Sequence, residues 1–298
     1  MATLRDYLTL IRFPNLFTLP SNVILGFVQI FTLSKIETWN ILVLVIISIL
    51  LYTVGIVLND YFDINVDRRD RPDRPLPSGR ISTRTALIFV LLATGAAIVL
   101  SAFMSTYTII VTSIILITIL AYDYRLKNTI YGCFTLATSR VFNVTLGFSP
   151  YIVTIVGNYE ALVRVIVISV CIFVYVSTIT YLSKFEVGTS NRNVNIFTGL
   201  LPISLIPLIA GLFTIIGFFR LDLFLNLTIF ISIIIHTFMS WHRSPDPNKI
   251  RKVVRNLLLS IIVLDSAFMS GTLGFEYGLL IMLMLAPAML LSKKFYVT

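Results

Sequence analysis

The chain has 298 residues, of which 57% are hydrophobic and 12% charged, with a formal net charge of +9 and a mean hydropathy of +0.93. A soluble domain carries about 25% charged residues, so the composition excludes a water-soluble globular protein and predicts an all-α, polytopic integral membrane bundle over residues 1–298, undivided by any Gly/Ser/Pro-rich linker. The basic residues sit in short loops between apolar runs, which excludes a nucleic-acid footprint and matches the positive-inside pattern.

Apolar runs fall at about 16–35, 39–62, 83–104, 106–122, 131–156, 160–182, 195–218, 222–241, 253–273 and 276–292, each near the roughly 20 residues that span a hydrocarbon core. They predict nine transmembrane helices, or ten if the last run spans. Loops on the amino-terminal side carry Arg5 and Arg12, then Arg68, Arg69, Arg71, Arg74, Arg80 and Arg84, then Arg125 and Lys127, Lys184 and Arg192, and Arg243 to Arg255. The opposite loops hold Lys35, Arg164 and Arg220. This asymmetry predicts that the amino terminus and the charged loops are cytoplasmic. The amino-terminal segment has no A-x-A-like site, so no cleavable signal peptide is expected. Cys133 and Cys171 lie in apolar runs and suit core packing rather than a disulfide or zinc site.

In chain order, Arg12-Phe13-Pro14-Asn15 opens the first span. Arg12 suits a headgroup anchor or a phosphate ligand, and Pro20 predicts a kink. At the end of the second span, Asp60, Asp63 and Asp67, with Asn59 beside them, follow an i, i+3, i+7 pattern that places the carboxylates along one helical face. Aligned carboxylates repel unless positive charge lies between them. A hard divalent cation with oxygen ligands and a phosphate co-ligand meets that need; a solvated loop capping the helix is the plainer alternative. The segment after them, RPDRPLPSGRIS, is too rich in proline for a continuous helix. Its Arg74 and Arg80 suit a diphosphate clamp, and Ser82 or Thr83 caps the next helix.

The next cytoplasmic loop holds Tyr122, Asp123, Tyr124 and Lys127. Its aromatics read as interfacial belt residues and Lys127 as a phosphate contact. Arg140 and Asn143, three apart within the fifth span, should face the bundle interior and the cavity behind the acids. Ser183, Glu186 and Ser190 repeat the i, i+3, i+7 spacing at the end of the sixth span, a faint internal repeat in which Glu186 alone is acidic. Asp265, alone among apolar residues of the ninth span, predicts a structural hydrogen-bonding group.

Asn59-Asp60-x-x-Asp63-x-x-x-Asp67 followed by Arg74-Pro75-Leu76-Pro77-Ser78-Gly79 resembles the UbiA superfamily of membrane prenyltransferases, with support from Arg12…Asn15, the Tyr122…Lys127 loop and the span count. The resemblance implies Mg2+-dependent transfer of a prenyl group from a polyprenyl diphosphate to an aromatic or lipid acceptor within the membrane. It implies metal ligands at Asn59, Asp60, Asp63, Asp67 and Glu186, with Asp63, Asp67 and Glu186 catalytic. Donor contacts would come from Arg12, Asn15, Arg74, Lys127, Arg140 and Asn143. The second acidic motif departs from the family pattern, keeping only Glu186 where aspartates are usual, and resembles an EboC-like branch. A transporter or lipid-binding protein on the same scaffold is the rival that this depletion suggests.

Overall fold

The structure, a computed structural model, describes residues 2–31, 39–185, 196–242 and 247–292, and among these every regular element is helical. The helices are α1 (Leu4–Leu10), α2 (Thr18–Phe31), α3 (Trp39–Phe62), α4 (Ile64–Asp70), α5 (Thr83–Met104), α6 (Thr106–Ala121), α7 (Ile130–Phe148), α8 (Ile152–Gly157), α9 (Tyr159–Ser183), α10 (Ile196–Ile215), α11 (Leu223–His242), α12 (Pro247–Leu273), α13 (Phe275–Met282) and α14 (Leu285–Ser292). Eight helical segments among the described residues are long and apolar enough to cross a membrane. α7 is not one of them: Arg140 and Asn143 lower its hydropathy, although one face of its 19 residues, including Ala137, Val144 and Leu146, is buried in the bundle. α10 contributes a shorter apolar stretch, Gly199–Ile215.

Local chemistry sets the breaks. The run expected to continue to 156 stops at Phe148, where Pro150 sits in a 3-10 turn and starts the short α8. The last run divides into α13 and α14. Pro20 causes no interruption, because α2 begins at Thr18 and an N–H missing from the first turn has no partner to lose. Ser82 caps α5 through Thr85 N, as its sequence position predicts.

Two packed groups form the interior. Leu44, Ile47, Leu51, Val54 and Leu58 recur every three or four residues on α3 and bury against Ala93 and Ala97 of α5 and Val111, Ile115 and Ile119 of α6. The larger group joins α9, α10, α11 and α12 with parts of α2 and α7, and α12 is the most enclosed apolar helix of the fold. α2 and α7 link the two groups, and their backbones meet directly. A Cβ built on Gly26 would lie 1.9 Å from Val144 O, and one on Gly147 would lie 2.1 Å from Val23 O. Only glycine permits this crossing, which sets the register of α7 against α2.

Candidate active site

α3 and α4 are nearly one helix. At the joint Asp63 keeps helical dihedrals (φ −86°, ψ 0°), its N–H donates to Asn59 O at 3.0 Å and its carbonyl accepts from Asp67 N at 2.8 Å. The acidic stripe therefore survives, with its members in different surroundings. The Asp60 and Asp67 side chains are 5% and 6% exposed, whereas that of Asp63 is 28% exposed.

The positive charge between the acids comes from the protein. Arg74 Nη1 donates to Asp60 Oδ1 at 3.2 Å and to Asp67 Oδ2 at 2.7 Å. Two carboxylates held this close, at roughly 5 Å and an effective dielectric near 20, repel by about 3 kcal/mol without a cation between them. The proline-rich loop fixes Arg74 by burying Leu76 and Ile81 against Leu10, Val57 and Ala86, while Ser78 N returns to Arg74 O at 3.0 Å. Arg74 Nη2 is buried without a hydrogen-bond partner. Arg12 comes from the other side, and its Nη2 reaches Asp60 Oδ1 at 3.2 Å. Its backbone is left-handed (φ 47°), the sole non-glycine residue in that region among those described, and such strain gathers at functional sites. Burial is the largest single influence and opposes the Arg12 charge, but Asp60, Tyr52 and Asp67 together outweigh it and the pKa is raised.

A second pairing lies beside the first. Tyr122–Leu126 forms a π-helical turn, closed by Lys127 N donating to Tyr122 O at 2.9 Å. The extra residue of this turn swings Asp123 and Lys127 onto the stripe. Lys127 Nζ contacts Asp63 and donates to Asn59 Oδ1 at 3.2 Å, while Asn59 Nδ2 donates to Asp123 Oδ1 at 3.0 Å. Asp123, given no role from sequence, is thus a buried member of the site. Its spacing of four from Lys127 on the same membrane face was the available signal.

The structure does not bring every predicted residue here. Arg140 donates to Thr18 O (3.2 Å), Thr18 Oγ1 (2.8 Å) and Asn22 Oδ1 (2.9 Å) on α2, and hydrogen-bonds none of the stripe acids. Asn143 accepts from Ser48 Oγ at 2.5 Å on α3. Asn15 is buried in the 3-10 turn before α2 and pairs with the Tyr52 hydroxyl. Arg80, expected at a diphosphate, instead pairs with Asp6 at 2.9 Å and ties α1 to the loop. Ser183 Oγ donates to Thr180 O, and Glu186 and Ser190 lie outside the described residues. Asp265 meets its expectation, accepting from Ser21 Oγ at 2.6 Å and from Asn22 Nδ2 at 2.9 and 2.7 Å.

Among the described residues no group of three or more His, Cys, Asp or Glu is gathered as a metal cage. The stripe acids accept from Arg74, Arg12 and Lys127. The donors are nonetheless all hard oxygens at one end of the bundle, which suits Mg2+, and the orphaned Arg74 Nη2 suits a phosphate oxygen.

Fold and site together define an all-helical membrane protein with a basic and acidic cluster at one mouth of its bundle. The model of the UbiA prenyltransferase family matches residues 23–262. The chain belongs to the UbiA prenyltransferase family. It is 29% identical over 149 residues to the digeranylgeranylglyceryl phosphate synthase of Metallosphaera sedula, covering 50% of this chain and 52% of that protein. The chain spans about half the length of the curated relatives it matches. The fold is similar to a solved structure bearing on digeranylgeranylglyceryl phosphate synthase in membranes (TM-score 0.65, 22% identity, 90% of this chain and 98% of that one). It also resembles a UbiA homologue from Archaeoglobus fulgidus bound to DMAPP and Mg2+ (TM-score 0.52, 15% identity, 97% and 99%).

Proposed function

We propose that this protein is an intramembrane prenyltransferase that moves a prenyl group from a polyprenyl diphosphate to a lipid acceptor and releases diphosphate. The observation that carries this is Arg74, buried between Asp60 and Asp67 while Lys127 bridges to Asp63 at the same mouth. Such an arrangement sets guanidinium and ammonium donors where phosphate oxygens can take the place of carboxylates. Arg12, Arg74 and Lys127 hold the diphosphate. Asn59, Asp63, Asp67 and Asp123 are the Mg2+ ligands, with Asp60 kept as the counter-charge of the arginines and Glu186 assigned from sequence to a second ion. Bound Mg2+ supplies charge neutralisation that makes diphosphate a better leaving group. The allylic C–O bond breaks, its electron pair leaving with the diphosphate, and the acceptor hydroxyl forms the new C–O bond and gives up its proton to the departing diphosphate. The apolar tail lies between helices and enters from the bilayer, and the mouth faces the cytoplasm.

The names of the relatives suggest a glyceryl phosphate lipid as acceptor. The test is diphosphate release from geranylgeranyl diphosphate and geranylgeranylglyceryl phosphate by the purified protein, with the ether product identified by mass spectrometry. Asp63→Ala is expected to lower turnover at least 100-fold and to abolish its Mg2+ dependence while the protein stays monodisperse. Unchanged Mg2+ dependence in that variant would count against the assignment.

A further inference from the structure

A second polar centre lies deeper in the bundle and takes no part in the acid and base pairing at the mouth. Arg140 is ten residues beyond Ile130, or about 15 Å along α7, and Tyr52 is eight residues before Asp60, about 12 Å along α3. Both therefore sit at similar depth below the acids. Thr18 and Asn22 of α2 complete the group, and Tyr52 interacts electrostatically with Arg140 and Arg12, joining the two centres.

Arg140 has five N–H groups. Three hydrogen bonds leave it, all to neutral oxygens: Thr18 O, Thr18 Oγ1 and Asn22 Oδ1. Nε makes none, and the side chain keeps accessible surface even though helices surround it. No carboxylate of the described residues forms an ion pair with it. The acid that balances its charge, Asp265, is reached only through Asn22, and the Asp265 oxygens are taken by Ser21 and Asn22. A network built for stability alone would close this arginine on the aspartate, because a charge at bilayer depth is expensive without a partner. Instead Asn22 holds the two apart and leaves part of a planar, fork-shaped cation without a partner, the geometry that takes an oxyanion.

We propose that Arg140, with Thr18, Asn22 and Tyr52 around it, binds the anionic group of the acceptor lipid. The inference rests on the prenyl-transfer reading above. It places the two anionic substrates at separate cationic centres, the donor diphosphate at the mouth and the acceptor phosphate below it. The acceptor hydroxyl and the allylic carbon then meet in the space between.

The experiment measures equilibrium binding of radiolabelled geranylgeranylglyceryl phosphate to the full chain in phosphatidylcholine nanodiscs, beside prenyl transfer from geranylgeranyl diphosphate. Arg140→Gln is expected to weaken acceptor binding at least tenfold and raise the acceptor KM to match, with the donor KM held within twofold. Dephosphorylated geranylgeranylglycerol should bind wild type and variant alike. Wild-type acceptor affinity in the variant, or equal loss of donor and acceptor, overturns the inference. If Arg140→Gln does not accumulate, Arg140→Lys decides: a raised acceptor KM with unchanged donor KM supports the site, and an unchanged acceptor KM overturns it. Phosphate-dependent binding that the variant loses, in a protein that transfers nothing, overturns the prenyl-transfer reading and upholds the anion site.

Discussion

Arg74 is the residue on which the acids of the mouth depend. Its side chain is 7% exposed and those of its two carboxylate partners slightly less so, so removing it leaves two buried anions facing each other. Breaking a buried pair by deleting one partner costs about 3–5 kcal/mol. Arg74→Met is therefore expected to lower the thermal midpoint strongly, and adding Asp67→Asn should recover part of the loss. The non-additivity of that double-mutant cycle, read by thermal unfolding in detergent, measures the coupling; strictly additive effects would contradict it. The importance of Arg74 was legible from its setting among prolines next to a carboxylate stripe. The part of Asp123 was not, because it depends on one inserted residue in a π-helical turn, and neither hydropathy nor spacing registers that insertion. Arg140 was legible as a buried cation, but its partners belong to α2, and only the packed structure discloses them.

At the level of helices, each apolar run contains helix among the described residues, eight segments are long and apolar enough to cross a membrane, and the disagreements occur where a local signal competes with hydrophobicity. Pro150 ends α7 early and an interruption splits the last run, while Pro20 does nothing because it falls in a first turn. The α2–α7 crossing was invisible in sequence, since Gly26 and Gly147 are far apart in the chain and neither forms part of a short repeat. Their contact brings Arg140 to Thr18 and Asn22. A methyl group on Gly147 meets the backbone of Val23, which no rotamer change relieves, so Gly147→Ala should cost about 1–3 kcal/mol or more. Gly95 of α5 is the control: a Cβ there has open space, and Gly95→Ala should be neutral or stabilising by up to about 1 kcal/mol. Thermal stability of the two variants by size-exclusion chromatography tests the crossing, and equal behaviour would refute it.

On the scale of the whole molecule, alternation of the helices puts the acid-bearing end of α3, the Arg74 loop and the Tyr122–Leu126 turn at one end of the bundle. The Gly157 turn and the start of α11 lie at the other, where Arg220 N donates to Gly271 O at 2.7 Å and ties that end to α12. Six arginines between residues 68 and 84 mark the first end, and crossing the bilayer with so many charges is unfavourable by several kcal/mol for each. The insertion energy therefore favours keeping this end from crossing the bilayer, which supports the cytoplasmic mouth proposed above. Cys133 and Cys171 are 2% and 0% exposed, which leaves a low background for labelling introduced thiols. In intact cells, Gly157→Cys and Leu221→Cys should react with a membrane-impermeant maleimide. Ser78→Cys, exposed on the arginine loop, should react only after the membrane is opened. The reverse pattern would place the diphosphate site on the outer face and reverse the route by which the donor arrives.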